Sequence, residues 1–249
     1  MAKHVCLDPG HGVETGGKRS PDGTYLEHEF NLDMAKRMQI LLEGYGVSVA
    51  LTRADEHTVT LERRVKIANE IQSLNLFVSL HSNAAGTGGW VDSARGYVIY
   101  TSQAGQTAGR NIAAQAVLKR AKDVGIVIRG SGLAHSLFYV LRHTTAPALL
   151  IEHGFHTNRE DVALLKTDAY RQKLAEANVR GICDFLGVGY GEATETSSAA
   201  PPEQAAVDAA VDALSQAGII TAPGYWKAGE YSQKNVQHLL VKSAAALLK

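Results

Sequence analysis

The chain has 249 residues, 45% hydrophobic and 20% charged, with 25 Lys+Arg against 25 Asp+Glu. That length and apolar share fit one good-sized domain with room for a small second one, and the balanced charge supplies no field for nucleic acid or an anionic membrane. No apolar run reaches membrane-spanning length, so no transmembrane segment is expected, and Met1-Ala2-Lys3-His4 enters a strand-like stretch without the apolar core of a signal peptide, which predicts synthesis in the cytoplasm without a leader.

The first element is a short apolar strand, Val5-Cys6-Leu7, that stops in Asp8-Pro9-Gly10-His11-Gly12. A strand that breaks at Pro and Gly leaves the sheet at its carboxyl edge, where open α/β sheets put their ligands, and His11 belongs on that rim. A polar, Gly-rich loop follows from Val13 to Tyr25, long enough to be functional. A helix begins near Glu27, with Phe30, Met34, Met38 and Leu41 at helical spacing, and stops at Gly44-Tyr45-Gly46. Glu27 and Glu29 share its first turn, where either complements the helix dipole.

Val47–Leu51 is the second strand, and Leu61, Val65, Ala68 and Ile71 mark a second helix. The charged residues nearby, Asp55, Glu62, Arg63 and Arg64, read as solvated face, while Arg53 and Arg63 are candidates to organise the rim. The third apolar run, Leu74–Leu80, ends in His81-Ser82-Asn83-Ala84, a second histidine at a strand end. A loop from Asn83 to Arg95, a strand at Gly96–Tyr100 and a helix at Ala104–Lys122 come next, and Ile126–Thr145 reads as irregular, with no second-site pattern around His135 or His143. Pro147–Ile151 is a further strand that ends in Glu152-His153-Gly154-Phe155.

Thr157-Asn158-Arg159-Glu160 has capping-box spacing, and Tyr170 to Phe185 gives a last amphipathic helix. Alternating strands and helices predict an α/β fold, a mixed, mostly parallel sheet flanked by helices, over residues 1–187. Residues 188–204 read as a Pro/Ser/Ala-rich linker, and 205–249 as a small all-α module for cell-wall binding or self-association. Cys6 and Cys183 lack metal-type spacing and read as buried free thiols.

A zinc hydrolase needs three His or carboxylate ligands, an open position for water and a carboxylate to take that water's proton. His11, His81, one glutamate of the first helix and Glu152 supply this set at one sheet edge. Gly10-His11-Gly12 lacks the third glycine and following helix of a dinucleotide loop, and no Gly-x-Ser-x-Gly elbow is present.

Four blocks in this order, Leu7-Asp8-Pro9-Gly10-His11-Gly12, Glu27-His28-Glu29-Phe30-Asn31-Leu32, Val78-Ser79-Leu80-His81-Ser82-Asn83-Ala84 and Ala148–Asn158, resemble the zinc-dependent N-acetylmuramoyl-L-alanine amidases of the amidase-3 type, which cut peptidoglycan. Leu51-Thr52-Arg53 and Arg63 with Ala68-Asn69 share the likeness, which spans about residues 3 to 186. It implies one zinc held by His11, Glu27 and His81, with Glu152 catalytic. The position after that glutamate is usually small in the family; here it is His153, with His156 three residues on, and both, with Asn83, are candidates for substrate contact. The layout resembles a phage endolysin acting at the wall after release, with a host autolysin as runner-up. A zinc hydrolase of another amide and a binding protein with a lapsed site are the readings outside this class.

Overall fold

The computed structural model describes residues 2–102 and 108–190, together with Asp212 and Gln216. The chain divides into Met1–Tyr190 and Gly191–Lys249. The first unit carries everything that follows; the expected helical module at 205–249 lies, apart from Asp212 and Gln216, outside the described residues.

In chain order the elements are β1 (Lys3–Pro9), α1 (Glu27–Gly44), β2 (Val47–Leu51), α2 (Leu61–Glu70), β3 (Leu76–Asn83), β4 (Tyr97–Thr101), α3 (Ala108–Asp123), β5 (Ile128–His135), α4 (Tyr139–His143), β6 (Ala148–Phe155), α5 (Arg159–Leu165) and α6 (Asp168–Leu186). The strands form one sheet in the order β2-β1-β3-β6-β4-β5. Neighbours run parallel except β4 against β6, so the sheet is mixed and mostly parallel, as the alternation of elements predicts.

Side-chain alternation along the strands builds two cores. Val5, Leu7, Val78, Leu80, Leu149 and Ile151 point to one face, where α1 packs through Phe30, Met34 and Met38 beside α3 and α6. Cys6, Phe77, Ala148 and Leu150 point to the other, covered by α2 and α4 through Val65, Ala68, Val140 and Leu141. Both cysteines are buried and free; burial pushes the Cys6 thiol up to about 12 and Cys183 to about 11. Among the described residues, no helix is long and apolar enough to cross a membrane.

The segment expected to be irregular, Ile126–Thr145, instead contains β5 and α4. β5 is an edge strand whose register against β4 jumps between Tyr97↔Ile128 and Ile99↔Leu133, so Gly130 and Gly132, both with positive φ, bulge out and erase the two-residue period. The capping-box reading of Thr157 is also corrected: Asn158 caps α5, accepting from the Asp161 amide, while the Thr157 hydroxyl accepts from the Ala85 amide.

The architecture brings three carboxyl strand ends side by side. β1, β3 and β6 are adjacent and parallel, and His81 of β3 lies in register with Glu152 of β6.

Candidate metal centre

β1 ends at Pro9, and the chain turns through Gly10 into His11, which adopts a left-handed φ of 57°. That conformation costs a non-glycine residue roughly 1–2 kcal/mol and persists only where the surroundings impose it. Here they do so through the carbonyls. Arg53 donates to Pro9 O at 3.0 Å and Gly10 O at 3.2 Å, Arg64 donates to Pro9 O at 2.6 Å and His11 O at 2.9 Å, and Asn31 adds a bond to Gly10 O at 3.1 Å. Gly10 itself is demanded by close approach, since a Cβ there would lie 2.1 Å from the His81 ring.

Arg64 is therefore no solvated surface charge. It is buried and paired at 2.7 Å with Asp8, whose carboxylate also accepts from Thr52 and Ser79. Burial pushes the Asp8 carboxyl up, but the Arg64 guanidinium and the two hydroxyls outweigh it and hold the group below the usual range. Of the two candidate organisers of the rim, Arg53 holds the turn and Arg63 is exposed. Sequence periodicity does offer one signal for Arg64: it precedes Val65 on the inward side of α2.

Glu27 opens α1 and is 1% exposed, whereas Glu29 faces solvent. Its amide donates to Lys18 O, and its Oε1 meets His81 Nδ1 at 3.0 Å, the Ser82 amide at 3.1 Å and His11 Nε2 at 3.4 Å. One ligand atom from each of His11, Glu27 and His81 lies within 4.8 Å of the others. Burial raises the Glu27 carboxyl, but the two imidazoles outweigh it and the net direction is down; burial lowers His81, and Glu27 outweighs that to bring it up. Glu27 Oε2 is buried without a hydrogen-bond partner. Two imidazoles and a carboxylate with an unsatisfied buried oxygen are a donor set that fits a zinc ion in an open, three-ligand site.

Glu152 lines the same cavity, of about 440 Å³, together with His11 and His81. Burial, with Glu27 adding repulsion, pushes its carboxyl up to about 8, and its Oε2 is also unsatisfied. A carboxylate whose basicity is raised beside a metal-binding set suits proton transfer.

His153 and His156 sit behind this surface, each 2% exposed and outside the cavity lining. Between His81↔Glu152 and Asn83↔Phe155 the β3–β6 register shifts, and Gly154 takes φ +152°, which makes β6 bulge. At that bulge His153 Nδ1 donates to His81 O at 2.9 Å and His156 Nδ1 donates to Ser82 O at 2.9 Å. His153 Nε2 accepts from Asn178, which in turn accepts from the Tyr97 hydroxyl. With both ring nitrogens engaged and no exposure, His153 is not placed for substrate contact: it supports His81. Asn83 is half-buried, its amide oxygen bonded to the Ala84 amide, and it too lies off the cavity. His135 and His143 are exposed and outside the cavity lining: one bonds Thr101, the other the Tyr139 carbonyl.

Fold and side chains together define a mixed α/β enzyme scaffold with a His-Glu-His candidate metal centre at its carboxyl edge. The chain belongs to the N-acetylmuramoyl-L-alanine amidase family of the amidase-3 type, whose sequence profile matches residues 5–184. It is 33% identical over 178 residues to the N-acetylmuramoyl-L-alanine amidase LytC of Bacillus subtilis, covering 71% of this chain and 34% of LytC. It is 34% identical over 189 residues to the endolysin of Bacillus phage SPP1, covering 76% and 68%. The solved catalytic domain of CwlV, an amidase from Bacillus (Paenibacillus) polymyxa, superposes with a TM-score of 0.66 at 30% identity, covering 75% of this chain and 99% of that one. This chain thus spans about a third of LytC and about two thirds of the endolysin.

Proposed function

We propose that the protein is a zinc-dependent peptidoglycan amidase that hydrolyses the amide between N-acetylmuramic acid and L-alanine. The observation that carries this reading is the convergence of His11, Glu27 and His81, with Glu152 lining one cavity alongside His11 and His81, within a chain of the amidase family. A bound zinc would supply Lewis-acid polarisation of the scissile carbonyl and of the attacking water. Glu152 takes the water's proton and passes it to the leaving amine of alanine. The Arg53 and Arg64 clamps fix His11, and the bulge donors fix His81, so neither ligand reorganises during turnover.

Metal analysis of two variants tests the ligand assignment. Glu27→Ala should lose the zinc that Glu29→Ala retains, because Glu27 alone of the two points at both imidazoles. The reverse result would reassign the site, and a wild-type protein that releases no peptide with a free amino-terminal alanine from cell walls would remove the amidase reading.

Similarity to the SPP1 endolysin supports lysis by a phage enzyme as the biological setting, and similarity to LytC supports autolysis as the second reading. For the segment after Tyr190 the proposal is wall binding or self-association. A chain cut after Tyr190 should keep its zinc and its rate on small muropeptides while sedimenting less with intact walls; equal sedimentation would remove the binding role.

A further inference from the structure

The cavity opens at the carboxyl edge of the sheet, and its lining is uneven in chemistry. One lining residue is Lys18, in the loop before α1, whose carbonyl accepts from the Glu27 amide at 3.0 Å. Its ammonium has no ion pair or side-chain hydrogen bond among the described residues, yet its charge reaches His11 and Glu152. Around α2 and α4 the lining carries apolar and aromatic side chains, Leu61, Phe138, Tyr139 and Val140, with Leu61 50% and Phe138 40% exposed, beside Thr58, Thr60 and the Asp8-paired Arg64. His11, His81 and Glu152 line the same cavity.

A muramoyl-peptide amide has the matching asymmetry. Its acyl side is a sugar, whose C–H face packs on aromatic rings, and its amine side is a peptide whose residue after alanine carries a carboxylate. We infer that Lys18 is a substrate-binding residue that takes the carboxylate of the residue following alanine, while Phe138 and Tyr139 take the sugar, so that the cavity accepts substrate in one direction. This deepens the amidase reading and rests on it.

The test uses the zinc-loaded full chain and two soluble muramoyl-L-alanyl peptides that differ only in a free carboxylate or a carboxamide on the next residue. Binding is measured by calorimetry on the Glu152→Gln background, and turnover on the Glu152 protein. The carboxylate peptide should bind about tenfold more tightly, the usual scale of a hydrogen bond to a charged group. Lys18→Met should bring the ratio close to one, Lys18→Arg should restore it, and Phe138→Ala should weaken both peptides while keeping the ratio. Equal affinities in the parent, no binding of either peptide, or a ratio that survives Lys18→Met overturns the inference. Turnover decides the other question separately: selective binding without cleavage by the Glu152 protein leaves the Lys18 subsite standing and removes the amidase reading.

Discussion

The two histidines that face Glu27 are held by opposite means. His11 sits in a left-handed turn whose carbonyls are gripped by charged groups, Arg53 and Arg64, with Arg64 neutralised by Asp8. His81 sits beside a β-bulge whose carbonyls are gripped by neutral imidazoles, His153 and His156. In both places irregular backbone leaves carbonyls turned from the ladder, and in both a side-chain donor satisfies them. Charge on one side and neutrality on the other mean that the two supports fail under different conditions.

The largest effect is expected from breaking the charged support. Asp8→Asn leaves the Arg64 guanidinium buried without its counter-ion, and removing one partner of a buried pair typically costs ~3–5 kcal/mol. Thermal unfolding at neutral pH should show that loss. The Asp8 carboxyl is held below its ordinary range in the folded state, so its contribution is present above the unfolded-state value and disappears as pH falls through the depressed one. The parent should therefore lose stability in strong acid and Asp8→Asn should lose less there; parallel acid-stability curves for the two proteins would show that the pair does not anchor the His11 turn.

A second variant leaves both supports alone and isolates the chemistry between them. Glu152→Gln keeps the shape and the register with His81 but cannot accept a proton. Wall hydrolysis should fall by at least ~10²-fold with zinc content unchanged. Near-normal hydrolysis by a fully loaded Glu152→Gln protein would take the general-base role away from this residue.

The difference between the supports also explains what the amino-acid order reveals. Strand ends that carry His11, His81 and Glu152 are local signals, an apolar run closed by a polar break, and the structure brings all three to adjacent parallel strands. Glu27 against Glu29 is not decided by periodicity, because both lie in one helical turn; what separates them is a tertiary fact, the burial of one and the exposure of the other. Periodicity places Arg64 next to the inward side of α2 but does not reveal its work, since its partners Asp8, Pro9 and His11 lie on a different segment. His153 and His156 announce themselves as histidines near a site but not as donors to β3, because the bulge that gives them that work arises only when β3 and β6 pair. β5 escapes notice because its glycines interrupt the alternation that marks a strand.

The smallest effect is expected at the neutral support, and it tests the division between ligand and scaffold most directly. His153→Phe preserves the ring among Phe30 and Tyr97, whose centroids lie 5.4 and 5.6 Å away. It deletes the donor to His81 O and leaves the Asn178 amide facing a ring with no acceptor. Loss of a group that orients a metal ligand typically weakens the metal 10–100-fold, and since the His81 ring keeps its own contact with Glu27, we expect the lower end, ~10-fold, by competition with a chelator. His11→Phe, by contrast, should remove measurable binding. The acid response should separate the supports as well. Burial pushes the His153 imidazole down to about 4 from 6.5, so the unfolded chain takes up the proton first, and stability present above pH 6.5 is lost as pH falls towards 4. His153→Phe should flatten that mild-acid slope while leaving the strong-acid loss due to Asp8 in place. A His153→Phe protein that loses zinc as completely as His11→Phe would show that His153 belongs to the metal site and not to its support.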